Sequence, residues 1–111
     1  ITLATTTRCS ELKNGVVKPY DIDPAVYFED YCSGAELEGG LPADNAAITR
    51  GILEGRITGP KRNIVLLNAA ASLLSANRCA DLADGIKKSA AAIDSGAALD
   101  KLEKLVAFSK T

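Results

Sequence analysis

The chain contains no histidine, no methionine and no tryptophan, and its 111 residues include only three cysteines, three tyrosines and two phenylalanines. Without histidine the commonest general base is missing, and so is the imidazole of most zinc sites. Cys9, Cys32 and Cys79 are odd in number, widely spaced and form no CxxC pair. A zinc site of the usual kind is therefore excluded, and free thiols in a reducing cytoplasm are the expectation. Without methionine, Ile1 is not an initiator residue, so either removal of a front segment or one piece of a longer protein is expected. No apolar run approaches the roughly 20 residues that cross a bilayer, and no signal peptide opens the chain. Neither sign of charge dominates: 13 basic residues face 14 acidic ones, for a net charge of -1. There is no general attraction for phosphate polymers or anionic lipid, so nucleic acid and membrane are not expected partners.

What remains is 47% hydrophobic, mostly Ala, Leu, Ile and Val. That is too apolar for disorder, and Ala-rich enough for helices whose backbones approach closely. Residues 1–23 read as a β-hairpin. Thr5, Thr6, Thr7, Val16 and Val17 are β-branched and flank Asn14-Gly15, the pair that best tolerates the positive φ of a type I′ turn. A two-residue turn there predicts that Lys13 faces Val16, Glu11 faces Lys18, Cys9 faces Tyr20, Arg8 faces Asp21 and Thr7 faces Ile22. Pro19 cannot donate to a ladder, which makes the second strand an edge strand or a bulged one.

Residues 24–42 read as a turn and a loop. Asp23-Pro24 ends the hairpin, and Val26, Tyr27, Phe28 and Tyr31 suggest a small aromatic lid on one edge of the sheet. The loop carries Gly34, Gly39 and Gly40 and closes at Pro42. Residues 43–111 read as about four helices. The first runs from Ala43 to Glu54 and ends at Gly55. The second opens at Gly59-Pro60, with Pro at the first helical position, and is apolar almost throughout from Ile64 to Leu74, the mark of a buried central helix. The third runs from about Asp81 to Asp94, with Leu82, Ile86, Ala90 and Ile93 at helical spacing. The last places Leu99, Leu102 and Val106 on one face and Asp100 with Lys104 as an i,i+4 pair.

Two strands and one very apolar helix imply more sheet than the chain encodes, and an isolated hairpin is marginal in water. The fold class is thus α/β with an incomplete sheet. Its missing strands are expected in sequence before Ile1 or in a partner chain.

Few residues suggest chemistry. A helix opening Gly59-Pro60-Lys61-Arg62 offers N–H groups and two cations to an anion. Against this, Pro60 removes a donor and the P-loop pattern is not met, so capping and solvation are preferred. Asn68 sits in an apolar helix and needs partners; a backbone group in the core is preferred over a role in orienting a site loop. Asp81, Asp84, Asp94 and Asp100 read as caps and solvated charges rather than a cation site. Glu29 and Asp30 have no identifiable acid–base partner. Gly34, Gly39 and Gly40 do not form GxGxxG, so a flexible connection is preferred over a nucleotide loop.

Three stretches together resemble a known family. They are Gly39-Gly40 with Asp44-Asn45-Ala46, the block from Gly59-Pro60-Lys61-Arg62 through Leu66-Leu67-Asn68-Ala69-Ala70-Ala71, and Ala92-Ile93-Asp94-Ser95-Gly96-Ala97-Ala98. With Glu11 to Gly15 and Tyr20 to Pro24, their order and spacing resemble the C-terminal end of the anthranilate phosphoribosyltransferases across essentially the whole chain. The resemblance implies a transferase of tryptophan biosynthesis that joins anthranilate to the ribose of phosphoribosyl pyrophosphate with magnesium. It also implies a nucleoside phosphorylase/phosphoribosyltransferase-type α/β domain, whose remainder would be this segment's partner, and a full-length homodimer formed through a helical domain. The family's Gly-rich phosphate loop and its Lys, Asn, Ser and Arg contacts lie upstream of this region. Its acidic Asp-Glu pair for magnesium stands just before Ile1. No catalytic, substrate-binding or metal-ligating residue is therefore assigned here, and residues 1–111 are expected to act as scaffold, inactive alone. Two alternatives stay open. One is a relative of the pyrimidine nucleoside phosphorylases or a non-catalytic, nucleic-acid-binding phosphoribosyltransferase-like protein, though the charge of -1 disfavours the latter. The other is a free-standing helical interaction module.

Overall fold

A computed structural model describes residues 1–111. Strands β1 (Thr7–Lys13) and β2 (Val16–Ile22) form a two-stranded antiparallel sheet. All five residue pairs expected from Asn14-Gly15 are present in its register. Asn14 and Gly15 both have positive φ, 52° and 76°, as a type I′ turn demands. Arg8 and Asp21 close an ion pair at 2.7 Å. Only the base of the hairpin is packed. Ile22 is buried and Cys9 and Tyr20 lie against the core, whereas Leu12, Val16 and Val17 near the turn are more than half exposed.

The first six residues, expected within β structure, pair with no strand. Leu3 is buried in the core, and the backbone N–H of Cys32 donates to its carbonyl. Side-chain burial thus holds this segment in place of a ladder.

After β2, a single helical turn α1 (Ala25–Phe28) sets Tyr27 and Phe28 against the core and leaves Val26 exposed. The loop is more structured than its glycines suggest, because Gly34–Leu37 form a 3-10 turn. Pro42 opens the next helix instead of closing the loop, as suits its preset φ at a first helical position. Helices α2 (Pro42–Leu53), α3 (Pro60–Ser75), α4 (Leu82–Asp94) and α5 (Ala97–Ser109) follow.

The core lies in two clusters on either side of α3. Leu3, Ile22, Leu67, Ala70 and Leu82 fill one, between the hairpin base and the helices. Ile52, Leu66 and Ile93 fill the other, among α2, α3 and α4. Helices α3 and α4 approach closely at Gly85, where an added Cβ would stand 2.9 Å from the Ala70 Cα and 3.1 Å from its carbonyl oxygen. A buried Ser89, one turn further on, continues this stripe of small residues. Arg62 near the start of α3 pairs with Asp94 at the end of α4 at 2.8 Å, and Arg50 of α2 pairs with Glu103 of α5.

Helix α3 is not buried all round. Leu66, Leu67 and Ala70 are buried, but Val65 is 37% exposed and Ser72 lies in the open. Only 12 of 111 residues are buried in all, and the exposed surface is 7287 Å². A compact monomer of 11.6 kDa exposes about 5,800 Å². The radius of gyration is 15.2 Å, against about 13 Å for a compact chain of this size. The elements are well formed, but the layer they build is thin and open.

Candidate functional site

Lys61, Arg62 and Asn68, singled out in the sequence, lie on α3. Asn68, in the middle of this apolar helix, places its side-chain amide against the backbone of the first residue. Its Nδ2 donates to the Ile1 carbonyl at 3.0 Å and to the Ile64 carbonyl at 3.0 Å, and its Oδ1 accepts from the Ile1 nitrogen at 3.2 Å. The amide thus presents one donor and one acceptor to Ile1, as a neighbouring strand would. This is the backbone-bonding role preferred from the sequence, with a partner 67 positions away.

The start of α3 is occupied by protein groups. Gly59 carries φ 70°, a conformation that favours glycine, and turns the chain into Pro60. Lys61 Nζ donates to the Glu38 carbonyl. The Arg62 guanidinium is tied to Asp94 and its side chain is only 16% exposed. Both cations are engaged, so capping and internal pairing describe this end better than anion capture.

Lys61 also connects α3 to a clasp built on the double glycine. Asn45 Oδ1 accepts the Gly40 N–H at 2.8 Å, and its Nδ2 donates to the Gly40 carbonyl at 3.0 Å. Asp44 accepts the Leu41 N–H at 3.1 Å and caps α2. A Cβ at position 39 would lie 2.2 Å from Asn45 Oδ1, and one at position 40 would lie 2.9 Å from Asp44 Oδ2. The Gly39-Gly40…Asp44-Asn45 spacing is therefore a structural unit: the glycines let two side chains close on their own backbone. The sequence offered the spacing but not the direction in which the side chains fold back.

The carboxylates are dispersed. Asp81 caps α4 by accepting the Asp84 N–H at 2.8 Å. Asp84 accepts from Lys88 Nζ at 2.8 Å and from the Ala80 N–H at 2.9 Å. These bonds, Lys88 first, hold its carboxyl below the usual aspartate range. Asp94 serves Arg62, and Asp100 serves Lys104 at 2.6 Å. Glu29 and Asp30 are exposed beside the first turn, and Asp30 accepts the Tyr31 N–H. Tyr31 donates its hydroxyl proton to Asp23 at 2.9 Å, which holds the phenol above its ordinary pKa. No three acidic or thiol groups converge on a point that could hold a metal ion. The donor set these residues offer does not fit magnesium.

The arrangement is one of side-chain amides and caps locking backbone in place. Residues 1–99 match the model of the glycosyl transferase family, a/b domain. The chain belongs to this family. It is 45% identical over 111 residues to the anthranilate phosphoribosyltransferase of Desulfosudis oleivorans, covering all of this chain and 33% of that protein. It is 48% identical over 106 residues to the enzyme of that name from Geobacter sulfurreducens, covering 96% of this chain and 30% of that one. A crystal structure of anthranilate phosphoribosyltransferase from Thermus thermophilus superposes with a TM-score of 0.87 at 30% identity, covering 100% of this chain and 32% of that chain. The chain thus spans about a third of the length of the relatives it matches. No helix in this member of the family is long and apolar enough to cross a membrane.

Proposed function

We propose that these 111 residues are the C-terminal portion of the α/β domain of an anthranilate phosphoribosyltransferase, and that their task is to hold that domain together. The observation that carries this reading is the match to anthranilate phosphoribosyltransferases along the whole chain, at 45% identity in sequence and a TM-score of 0.87 in structure. In the proposed reaction the amine of anthranilate displaces pyrophosphate from the anomeric carbon of phosphoribosyl pyrophosphate. The new C–N bond forms as the C–O bond breaks, pyrophosphate departs with the electron pair, and the amine gives up a proton. Magnesium bound elsewhere in the protein would neutralise charge on the leaving group. The contribution of this segment is orientation: rigid support for loops that place the amine against the sugar. The remainder of the same α/β domain is its proposed partner, in a cytoplasmic enzyme that pairs as a homodimer.

The test is an assay of the full-length protein with anthranilate, phosphoribosyl pyrophosphate and magnesium, followed by loss of anthranilate fluorescence. The full-length protein is expected to turn over and the 111-residue chain to be silent. Full-length protein that ignores anthranilate but cleaves pyrimidine nucleosides with phosphate would overturn the assignment in favour of the phosphorylase alternative.

A further inference from the structure

Between α1 and α2 the chain makes an excursion whose two ends are built differently. It leaves α1 through a tight turn centred on Glu29, at φ 67° and ψ -35°, closed by the Asp30 N–H donating to the Phe28 carbonyl at 2.8 Å. A three-residue turn of this hand is rare and strained, above all for a residue with a side chain. The excursion ends at the Gly40 clasp, where Asn45 grips both the N–H and the carbonyl. Residues 30–38 are exposed except for Cys32 and Leu37, which lie half-buried against the core. Much of the bonding in this stretch is internal. The Ser33 N–H and hydroxyl both donate to the Glu36 carboxylate, at 2.8 and 3.1 Å, around the 3-10 turn. Three hydrogen bonds lead out of it. The Tyr31 hydroxyl donates to Asp23 close to the strained turn, the Cys32 N–H donates to the Leu3 carbonyl at 3.2 Å, and the Glu38 carbonyl accepts from Lys61 Nζ.

We propose that residues 30–38 form a strap that opens and closes over residues 1–3 as one unit, with Glu29 as its strained hinge and Lys61 as its latch. A segment bonded mainly to itself moves about its ends without first unfolding, as hinged elements do. Closure holds Glu29 at its positive φ, so backbone strain favours the open form. The Lys61 bond and the burial of Cys32 and Leu37 favour the closed one. Two opposed contributions of this kind leave an equilibrium that a single side chain can shift. Opening takes the Cys32 N–H away from the Leu3 carbonyl. Residues 1–6, which pair with no strand, then rely on the burial of Leu3 and on the grip of Asn68 on Ile1. The strap thus sets how firmly that segment is held, whatever reaction the full-length protein performs.

The test uses the native thiols of the full-length protein. Maleimide labelling of Cys32 is followed by peptide mass mapping, with Cys9 on the hairpin and Cys79 before α4 as references. Lys61→Met is expected to raise the Cys32 rate at least about fivefold, as loss of a charge-assisted bond does, and to leave Cys9 and Cys79 within about twofold. Lys61→Arg can donate to the same carbonyl and is expected to keep the native Cys32 rate within about twofold. Glu29→Gly is expected to slow Cys32 about threefold, because relief of strain at a positive φ outweighs the freedom that glycine gains on opening. A Cys32 rate unmoved by Lys61→Met would overturn the proposal. So would a rise shared by all three thiols, which signals general loosening, or a Glu29→Gly protein that labels faster than the native one. If Lys61→Met does not accumulate as folded protein, the direction of the Glu29→Gly change decides alone.

Discussion

Asn68 carries the largest polar responsibility of any side chain in this segment, because three of its hydrogen bonds end on backbone atoms of Ile1 and Ile64. Replacing it with leucine leaves the Ile1 groups without these partners on a half-buried surface, at a cost of about 1–3 kcal/mol. Asn68→Leu in the full-length protein is expected to lower the urea midpoint by a corresponding amount while leaving KM for either substrate within about twofold. A stable variant with grossly altered KM would contradict the scaffold role. Ser89 is the opposite case. Its hydroxyl is buried with no partner, so Ser89→Ala is expected to be neutral or stabilising by up to about 1 kcal/mol. Denaturant titration decides it, and a loss above about 1 kcal/mol would mean that the hydroxyl has an acceptor in the complete protein. That Asn68 needs partners follows from its apolar neighbours in sequence. That the partner is Ile1 does not, because nothing local links positions 67 apart.

At the scale of the element, α3 and α4 depend on their closest approach. Gly85→Ala gains up to about 1 kcal/mol of helix propensity but drives a methyl into the backbone of α3 at Ala70, which cannot yield as a flexible side chain does. Overpacking of this kind costs about 1–3 kcal/mol, so the expected sign is destabilising; a raised melting temperature would contradict the packing. The start of α4 also carries an acid-sensitive contribution. The Asp84 carboxyl is held below the usual range by Lys88 and the Ala80 N–H, so its stabilisation is present above the unfolded-state pKa and is lost as pH falls through the lower folded value. Asp84→Asn is therefore expected to lower the urea midpoint near neutral pH, with the difference shrinking at acid pH as the native carboxyl, held below the usual aspartate range, protonates. An equal difference at both pH values would assign the effect to capping geometry alone. These elements were legible in the sequence: Asn14-Gly15 set the hairpin register, Pro60 the start of α3, and Asp81 the cap of α4. Less was legible where tertiary burial replaced local pattern. Leu3 lies outside any ladder because a core pocket holds it, and Pro42 reads equally well as a loop end or a helix start.

At the scale of the molecule, the two-stranded sheet and the apolar run at Leu66 and Leu67 are both present, but with a physical shape the run alone does not convey. Helix α3 is covered on the hairpin side and on the α2 side, and open along Val65 and Ser72. Twelve buried residues and an excess of exposed surface leave little to offset the entropy of ordering the chain, at about 1–2 kcal/mol per residue for the backbone. No substrate or metal site was legible in these residues, because the groups that would build one in the resembled family are not among them. The same openness that supports the scaffold reading predicts how the isolated segment behaves. The most direct measurement is calorimetric unfolding of the 111-residue chain, alone and with the rest of the protein supplied as a separate fragment. A broad, weakly cooperative transition that sharpens and moves to higher temperature with the added fragment is the predicted result. A sharp two-state transition of the chain alone, unmoved by the addition, would contradict it.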